Sequence, residues 1–284
     1  MEFHTLNVDV NPGEPLNLYF LGDFHEGNAN SNKTALKQAV EMIKKSSETS
    51  QTYWICMGDT IDAIINSQDK RFNPSEIDKR YTLHDLKNLP KLQVDTIVKM
   101  LEPIKKQCAC CLIGNHEEEY IKRHSFDIYD YFASNFPFTF KMGYVGILRI
   151  AMKTPSRGAT SYDIAINHGD TSSGTTPGAP INKMHQITRW YDVNATVMAH
   201  THRLKVDRQQ IIKLNRLGTD LIDTHKLWGM TGCFLNTYQK GTRNYFEHKG
   251  AAASDIGMLH LQLKLSQHKS IWETFAVMNP IYLV

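Results

Sequence analysis

The sequence has few of the features that mark secreted or membrane-spanning proteins. Its five cysteines are an odd number, and their spacing fits neither a disulfide framework nor a paired Cys-x-x-Cys zinc site. No apolar run approaches the ~20 residues that cross a bilayer, and the N-terminal residues lack the basic and long apolar segments of a signal peptide. We therefore expect a cytoplasmic protein in a reducing compartment, with no membrane contact.

A strong excess of one charge is also missing. The 32 Lys and Arg residues against 29 Asp and Glu residues leave a formal net charge of +3, which neither indicates long-range attraction to nucleic acid nor identifies a substrate. The hydrophobic content of 41% predicts a sizeable core. Two average domains would fit the length, but the polar motifs described next extend from residue 23 to residue 202, which favours a single domain over residues 1–284.

What the sequence does contain is a series of five short polar motifs, each directly after an apolar run with the composition of a buried strand. In chain order they are Gly-Asp-Phe-His (residues 22–25), Gly-Asp-Thr-Ile-Asp (58–62), Gly-Asn-His-Glu (114–117), Asn-His-Gly-Asp (167–170) and Ala-His-Thr-His (199–202). Ligands in α/β proteins collect beyond the carboxyl ends of buried strands, so five such motifs can converge on one pocket. A single short motif occurs by chance in many chains, whereas five in order do not.

The side chains in these motifs are suited to binding metal ions. Carboxylate and amide oxygens suit hard divalent ions and imidazole suits transition metals, so we expect two divalent transition metal ions, with Mn²⁺ first and Fe, Zn or Ni as alternatives. Two ions roughly 3.5–4 Å apart lower the pKa of a shared water and neutralise charge on the attacking and leaving oxygens of a phosphate. The nucleophile is then a metal-bound hydroxide rather than a side chain.

The order Asp-x-His, Gly-Asp-x-x-Asp, Gly-Asn-His-Glu, His-Gly and x-His-x-His resembles that of the calcineurin-like metallophosphoesterase superfamily, over about residues 18–203. The resemblance implies a four-layer α/β/β/α sandwich with two mixed β-sheets, a dinuclear metal site at the carboxyl ends of the strands, and hydrolysis of phosphate esters. It also implies which residues bind the two ions. One ion would be bound by Asp23, His25 and His202, the other by Asn115, His168 and His200, and both by the bridging carboxylate of Asp59.

Two departures from the superfamily pattern refine this expectation. Ala199 stands where the superfamily usually has Gly, which indicates a less constrained strand end without the loss of a ligand. Asp62 is followed by Ala-Ile-Ile rather than by the Arg-Gly of the Ser/Thr protein phosphatases, so protein phosphatase activity is disfavoured.

His116 and Glu117 are the candidate catalytic residues. The resemblance places His116 beside the metals without making it a ligand, and a histidine there can protonate the leaving alkoxide, which is worth on the order of 10²–10⁴ in rate. Glu117 is a candidate partner that orients the histidine. The alternative is that His116 only hydrogen-bonds a loop carbonyl, as many lone histidines do.

Three functions fit these residues. The first is a phosphodiesterase or nuclease that acts on nucleic acid or nucleotides. The second is a phosphomonoesterase or nucleotide pyrophosphatase that acts on small molecules. The third is a binding scaffold without catalysis, which is disfavoured because every ligand position is filled.

Features outside the motifs favour a phosphodiester such as DNA or a nucleotide as the binding partner. The segment at residues 169–178 is rich in small polar residues and follows His168, and residues 236–253 mix aromatic with basic side chains, although an ordinary surface loop fits either segment equally well. The C-terminal third resembles that of phage- or prophage-encoded members of the superfamily. The residues that could meet phosphates or bases are Lys183, Arg189, Arg203, Arg123, Tyr238, Arg243 and Tyr245.

Hydrophobic periodicity predicts the helices and strands between and after the motifs. The helices are residues 31–47, capped by Ser31, and residues 94–101, 118–136 and 181–191. The later strands are residues 142–152 and 161–167, followed by 226–234, 258–265 and 271–278, which would complete a second sheet. The sequence gives no prediction of the oligomeric state.

Overall fold

The fold is built on two β-sheets that pack face to face. The structure is a computed structural model that describes residues 1–64, 72–82, 84–154, 159–169, 176–214, 218–238, 250, 252–268 and 271–284. The first sheet contains, in spatial order, β12 (Ile271–Tyr282), β11 (Gly257–His268), β2 (Pro15–Leu21), β3 (Gln51–Cys56), β4 (Cys108–Cys111) and β5 (Phe140–Lys141). The second contains β1 (Glu2–Asp9), β6 (Val145–Lys153), β7 (Ala159–Asn167), β8 (Ala195–Met198), β10 (Leu221–Thr231) and β9 (Leu204–Leu214).

Both sheets are mixed. In the first, β2, β3, β4 and β5 run parallel, and β11 runs antiparallel to both β2 and β12. In the second, β1 and β6, β7 and β8, and β8 and β10 pair in parallel, whereas β6 and β7 and then β10 and β9 pair antiparallel. The prediction of two mixed sheets is confirmed.

Helices cover the outer face of each sheet. Those of the described chain are α1 (Lys33–Thr49), α2 (Leu89–Leu101), α3 (Asn115–Arg123), α4 (Ile128–Ala133) and α5 (Ala179–Thr188). Apolar residues of α1, α2 and α4 share one cluster with the outer face of the first sheet, and Met184 of α5 packs with Met198 and Trp228 of the second sheet. The layers are therefore helix, sheet, sheet and helix, as the resemblance implied.

The continuous apolar runs before the motifs arise because their strands are covered on both faces. In β2, Leu18 and Phe20 belong to the core between the sheets, whereas Tyr19 and Leu21 belong to the cluster beneath the helices. Successive side chains of a strand point to opposite faces, so a strand with two covered faces needs apolar residues at every position.

Two predicted helices differ from those observed. Asn32, not Ser31, caps α1, because its side-chain oxygen accepts a hydrogen bond from the backbone N–H of Ala35 at 3.0 Å. The single helix predicted at residues 118–136 was wrong, because the chain leaves helical geometry at His124 and starts again after Asp127. The Asp127 side chain accepts a hydrogen bond from the N–H of Asp130 at 2.8 Å, which caps α4.

The prediction that the strands after residue 203 complete one sheet was also wrong. Strands β9 and β10 extend the second sheet, whereas β11 and β12 join the first sheet beside β2. Strands β1 and β9 were not predicted. Alternation of polar and apolar residues shows which face of a strand is buried but not which strand lies beside it.

None of the helices in the described residues is long and apolar enough to cross a membrane.

Candidate metal centre

The five motifs meet at one end of the sandwich, where strands of both sheets finish. Motif residues from the two sheets contact each other directly. The N–H of His200, from the second sheet, donates to the Asp23 carboxylate of the first at 2.9 Å, and within the first sheet the N–H of Asp23 donates to the Gly58 carbonyl at 2.9 Å. The Nδ1 of His168 lies 2.7 Å from the Met57 carbonyl. The pocket is therefore formed jointly by the first and second sheets.

The backbone is unusual at the same positions. The non-glycine residues with positive φ in the described chain are Asp23 (52°), His25 (46°), Asp59 (50°), Ala63 (51°), His200 (68°) and His202 (55°). All except Ala63 are predicted metal ligands. Each such residue costs roughly 1–2 kcal/mol, and conformations of this kind cluster at functional sites. The chain thus turns sharply after β2, β3 and β8 and brings these side chains together.

One donor group consists of Asp23, His25 and His202, whose ligand atoms all lie within 4.8 Å of one another. The two Nε2 atoms of the histidines are 3.2 Å apart, and Asp23 Oδ1 is 3.7 Å from His202 Nε2. Two ring nitrogens and a carboxylate oxygen facing one point match the donors that a divalent transition metal prefers.

A second donor group consists of Asp59, His168 and His200, again within 4.8 Å. His168 Nε2 lies 3.3 Å from Asp59 Oδ2 and 3.2 Å from the amide oxygen of Asn115. A third, overlapping group contains His25, Asp59 and His116. Asp59 therefore lies between the two sides of the pocket, which is the position that a bridging carboxylate needs.

Burial and hydrogen bonding show that these residues fit metal ions. Asp23, Asp59 and His168 are fully buried or nearly so, and within the described part of the chain Asp23 Oδ1 has no hydrogen-bond donor. A buried carboxylate oxygen without a donor is costly unless a cation neutralises it. A cation bound between this oxygen and the two ring nitrogens beside it would satisfy all three atoms.

The electrostatic environment keeps both aspartates ionised. Burial would raise the pKa of Asp59, but the nearby His168 and His116 hold it well below its usual range. Burial lowers the pKa of His168, yet the Asp59 carboxylate outweighs this effect and raises that pKa to about 9. The carboxylates are thus held in the form that binds cations.

His116 is the member of these donor groups that the resemblance does not make a ligand. Its Nδ1 contacts the backbone carbonyl of Asp62, and its ring meets that of His25 edge-on with centroids 4.6 Å apart. The carboxylate of Asp62 is 3.7 Å from His25 Nδ1 and accepts a hydrogen bond from Asn28 at 3.3 Å. Sequence reasoning gave Asp62 no role, although its place three residues after Asp59 in the same motif was the available signal.

Glu117 is buried and organises the turn that carries Asp59. Its carboxylate accepts hydrogen bonds from the backbone N–H groups of Asp59 (3.1 Å), Thr60 (2.6 Å) and Gly114 (3.0 Å), and from the Thr60 hydroxyl (2.7 Å). A Cβ on Gly114 would lie 2.2 Å from the Asp59 nitrogen, so only glycine fits there. These contacts support a positioning role for Glu117, through Asp59 rather than through His116.

Cys233 is a further residue beside the site that sequence reasoning missed. Its buried thiol donates to the Leu235 carbonyl at 3.4 Å and lies beside His202. Burial lowers the pKa of His202, but Cys233 and Asp23 outweigh this and raise it well above its usual value. Only its position in the folded chain reveals this contact, because Cys233 lies outside all five motifs.

Other predicted contacts with substrate lie partly outside the described residues. Residues 170–175, 239–249 and 251 are not described, and these include Arg243 and Tyr245. Tyr238 is described and is 50% exposed. Two of the predicted basic residues already have partners. Arg123 pairs with Glu119 at 2.6 Å, and the guanidinium of Arg189 lies 4.2 Å from the ring centroid of Trp190.

We expect Glu117→Gln to lower the free energy of unfolding of the metal-free protein by about 2–4 kcal/mol, because a buried charge shared by several N–H groups is replaced by a neutral amide. Urea unfolding followed by tryptophan fluorescence measures this change.

The matched control is Glu118→Gln. Glu118 pairs with Lys122 at 2.9 Å in a partly exposed position, so its loss should cost less than about 1 kcal/mol. Equal losses in the two variants would contradict the anchoring role of Glu117.

The chain is similar in structure to several solved proteins. Over 96% of this chain and 90% of the other, it is 10% identical to GAP50, the anchor in the inner membrane complex of Plasmodium, with a TM-score of 0.50. It is 13% identical to vacuolar protein sorting 29 from Cryptosporidium parvum over 95% and 99% of the two chains, with a TM-score of 0.39. It is 9% identical to a predicted phosphoesterase from Streptococcus pneumoniae TIGR4 over 93% of this chain and 98% of the other, with a TM-score of 0.31.

At these identities the likeness to GAP50 shows the fold alone. A search of curated proteins found no match. The family is shown instead by a model of the calcineurin-like phosphoesterases, which matches residues 16–204 and so covers all five motifs. The chain therefore belongs to the calcineurin-like phosphoesterase family, whose members are hydrolases that cleave phosphate esters with divalent metal ions.

Proposed function

We propose that this phosphoesterase is a phosphodiesterase that acts on nucleic acid or nucleotides, and that its two ions share Asp59. The observation that carries the proposal is the position of Asp59, which belongs to one donor group with His168 and His200 and to an overlapping one with His25 and His116. The proposed ligands are Asp23, His25 and His202 on one side, Asn115, His168 and His200 on the other, and Asp59 on both.

The ions, when bound, supply an activated water, orient the phosphate and neutralise the charge that develops on it. Among metals we propose Mn²⁺ first, with Fe, Zn or Ni as alternatives, because the donors mix imidazole with carboxylate and amide oxygen. The residues around the donors hold them in place. The contact of His168 Nδ1 with the Met57 carbonyl at 2.7 Å, for example, turns Nε2 toward the pocket.

His116 is the proposed general acid. Its Nδ1 donates to the Asp62 carbonyl, so the transferable proton is carried by Nε2. A protonated imidazole gives this proton to the leaving oxygen and is neutral afterwards. The contact with a loop carbonyl, which was the alternative role for His116, is thus compatible with catalysis because it fixes the ring.

A surface cavity beside the metal centre supports a nucleotide or polynucleotide substrate. Arg203 directly follows His202 and lines this cavity of about 700 Å³ together with Lys205, Tyr282 and Asp255, whose carboxylate accepts a backbone N–H at 3.0 Å. Arg203 donates to the Ala253 carbonyl and Lys205 to a second carbonyl, both at 2.6 Å. No carboxylate in the described residues forms an ion pair with either cation, so both can meet phosphates, and the exposed ring of Tyr282 offers a stacking surface.

The metal ligands are tested by metal analysis of purified protein after loading with Mn²⁺. We expect about two ions per chain in the wild type, about one in His25→Ala and fewer than one in Asp59→Asn, because only Asp59 contacts both ions. The control is His124→Ala, because the His124 ring stacks on Tyr120 away from the donor groups. This variant should keep the metal content of the wild type. A wild-type content below one ion per chain would show that the site is not dinuclear.

The role of His116 is tested with substrates of different leaving groups. We expect His116→Asn to keep its metal but to lose about 10²-fold in rate on esters with a basic alkyl leaving group, because these need a proton most. Activated aryl esters, whose leaving groups depart unprotonated, should be affected much less. If both classes fall equally and metal is lost, His116 is a ligand or a structural residue.

The substrate class is tested by comparing a bis-aryl phosphodiester with an aryl phosphomonoester, and then with DNA, RNA and cyclic nucleotides. We expect the diester to be preferred. We also expect Lys205→Ala to lower kcat/KM for an oligonucleotide by about 3–10-fold. The kcat/KM for the bis-aryl ester should not change, because only the longer substrate reaches the cavity. Lys264→Ala, an exposed lysine on β11, is the control. A monoester preference with no cleavage of polynucleotides would favour the phosphatase function instead.

A further inference from the structure

The hairpin of β9 and β10 extends well beyond the rest of the second sheet. Strand β10 pairs with β8 only through Leu227–Met230, whereas it pairs with β9 along its whole length. Within the described residues, the outer part of β10 therefore has β9 as its only neighbouring strand. We call residues 208–214 and 221–226 the arm.

The arm exposes large apolar side chains. Ile212, Leu214 and Leu221 are 66%, 61% and 67% exposed, and Ile222 is 39% exposed. Leu214 lies directly opposite Leu221, and Ile212 is on the same face two residues away. A two-stranded ribbon is at best marginally stable in water, and adjoining exposed apolar residues mark interaction sites. The arm therefore has the exposed apolar side chains that are typical of a surface buried by a binding partner.

The outer edge of β9 is also open. β9 is the last strand of its sheet, and the strand pairs of the described chain place no neighbour on its far side. An open edge presents a row of backbone N–H and C=O groups that can pair with a further strand. Both the side chains and the backbone of the arm thus favour addition of a strand.

We propose that the strand is β9 of a second copy of this chain, paired antiparallel about a two-fold axis through Gln210. This register sets Asp207 opposite Lys213 of the second copy and Val206 opposite its Leu214. Residues opposite each other in this register lie on the same face of the joined sheet, so the charges meet and the apolar side chains meet. Because the interface is two-fold symmetric, each favourable pair is formed twice.

Neighbouring registers lack this complementarity. Opposite residues of an antiparallel pair share a face, so the axis can move only by whole residues, and moving it to Gln209 sets Asp207 opposite Ile211 and Lys213 opposite Lys205 of the second copy. In the register about Gln210, the aliphatic stem of Arg208 lies opposite Ile212 and its charged end can reach solvent.

The charges of the arm favour another copy over a membrane surface. Around the arm, Arg208, Lys213 and Lys226 stand against Asp207 and Asp223, and the Lys226 ammonium donates to the Tyr191 carbonyl at 2.6 Å. A surface that binds anionic lipid needs a concentration of positive charge, which this mixture does not provide.

The test is the oligomeric state, measured by sedimentation velocity and light scattering. We expect a dimer of the wild-type chain, and a monomer after Ile212→Lys or Leu214→Lys, each of which changes a side chain that is exposed in the monomer. Phe275→Lys is the control, because Phe275 is 64% exposed on β12 at the edge of the other sheet. Circular dichroism checks that each variant is folded.

A wild-type chain that stays monomeric at ~100 µM, where even weak dimers are populated, would overturn the proposal and leave the arm for a different protein or a membrane. A dimer that survives Ile212→Lys, or one that is lost in Phe275→Lys, would overturn it as well.

Charge reversal tests the register. Lys213→Asp alone should weaken the dimer by about tenfold, because like charges then face each other twice. Asp207→Lys alone should also weaken it, although Asp207 Oδ2 lies 3.0 Å from His185 Nε2 and that contact is lost as well. The double variant should recover most of the affinity. Failure of the double variant to recover, with both single variants folded, would exclude pairing about Gln210.

Discussion

The geometry of the metal centre depends on how the turn after β3 is held. The Glu117 carboxylate, buried at the start of α3, collects hydrogen bonds from Asp59, Thr60 and Gly114. It thereby fixes Asp59, with a φ of 50°, between two groups of histidines. The Glu117 side chain thus joins the ends of β3 and β4. It thereby sets the position of the Asp59 carboxylate, which lies between the two sides of the pocket.

The second requirement is that the two sheets keep their relative position. The first sheet supplies Asp23, His25, Asp59 and Asn115, and the second supplies His168, His200 and His202. The residues just before the motifs, such as Met57, Ile166 and Val197, belong to one buried cluster between the sheets. Since interiors of this kind are close-packed, the core determines the distances between donors from different sheets.

The four layers of the fold were implied by the resemblance of the motifs to the superfamily, whereas the convergence of the motifs on one pocket was predicted from a local pattern. An apolar run followed by Asp, Asn or His identifies a strand end, and such ends of both sheets do meet at one place. The sequence could not predict which sheet receives β9 to β12, because strand pairing is a tertiary property. It also missed the break at His124 and the contact of Asp62 with His25, although the cap residue Asp127 and the place of Asp62 in the second motif were local signals. The ligand roles, the identity of the metal, the single domain and the cytoplasmic location stay predictions.

The left-handed turns at five of the donors have a thermodynamic consequence for the whole rim. Their conformational cost is present whether or not ions are bound, whereas the stabilisation that offsets it depends on ion concentration. An ion present at 100 times its dissociation constant adds about 2.7 kcal/mol to the folded state, which is comparable to the cost of two such turns. If these residues bind the ions as proposed, ion binding and local folding are linked equilibria, and a chelator would destabilise the turns as well as inhibit the enzyme.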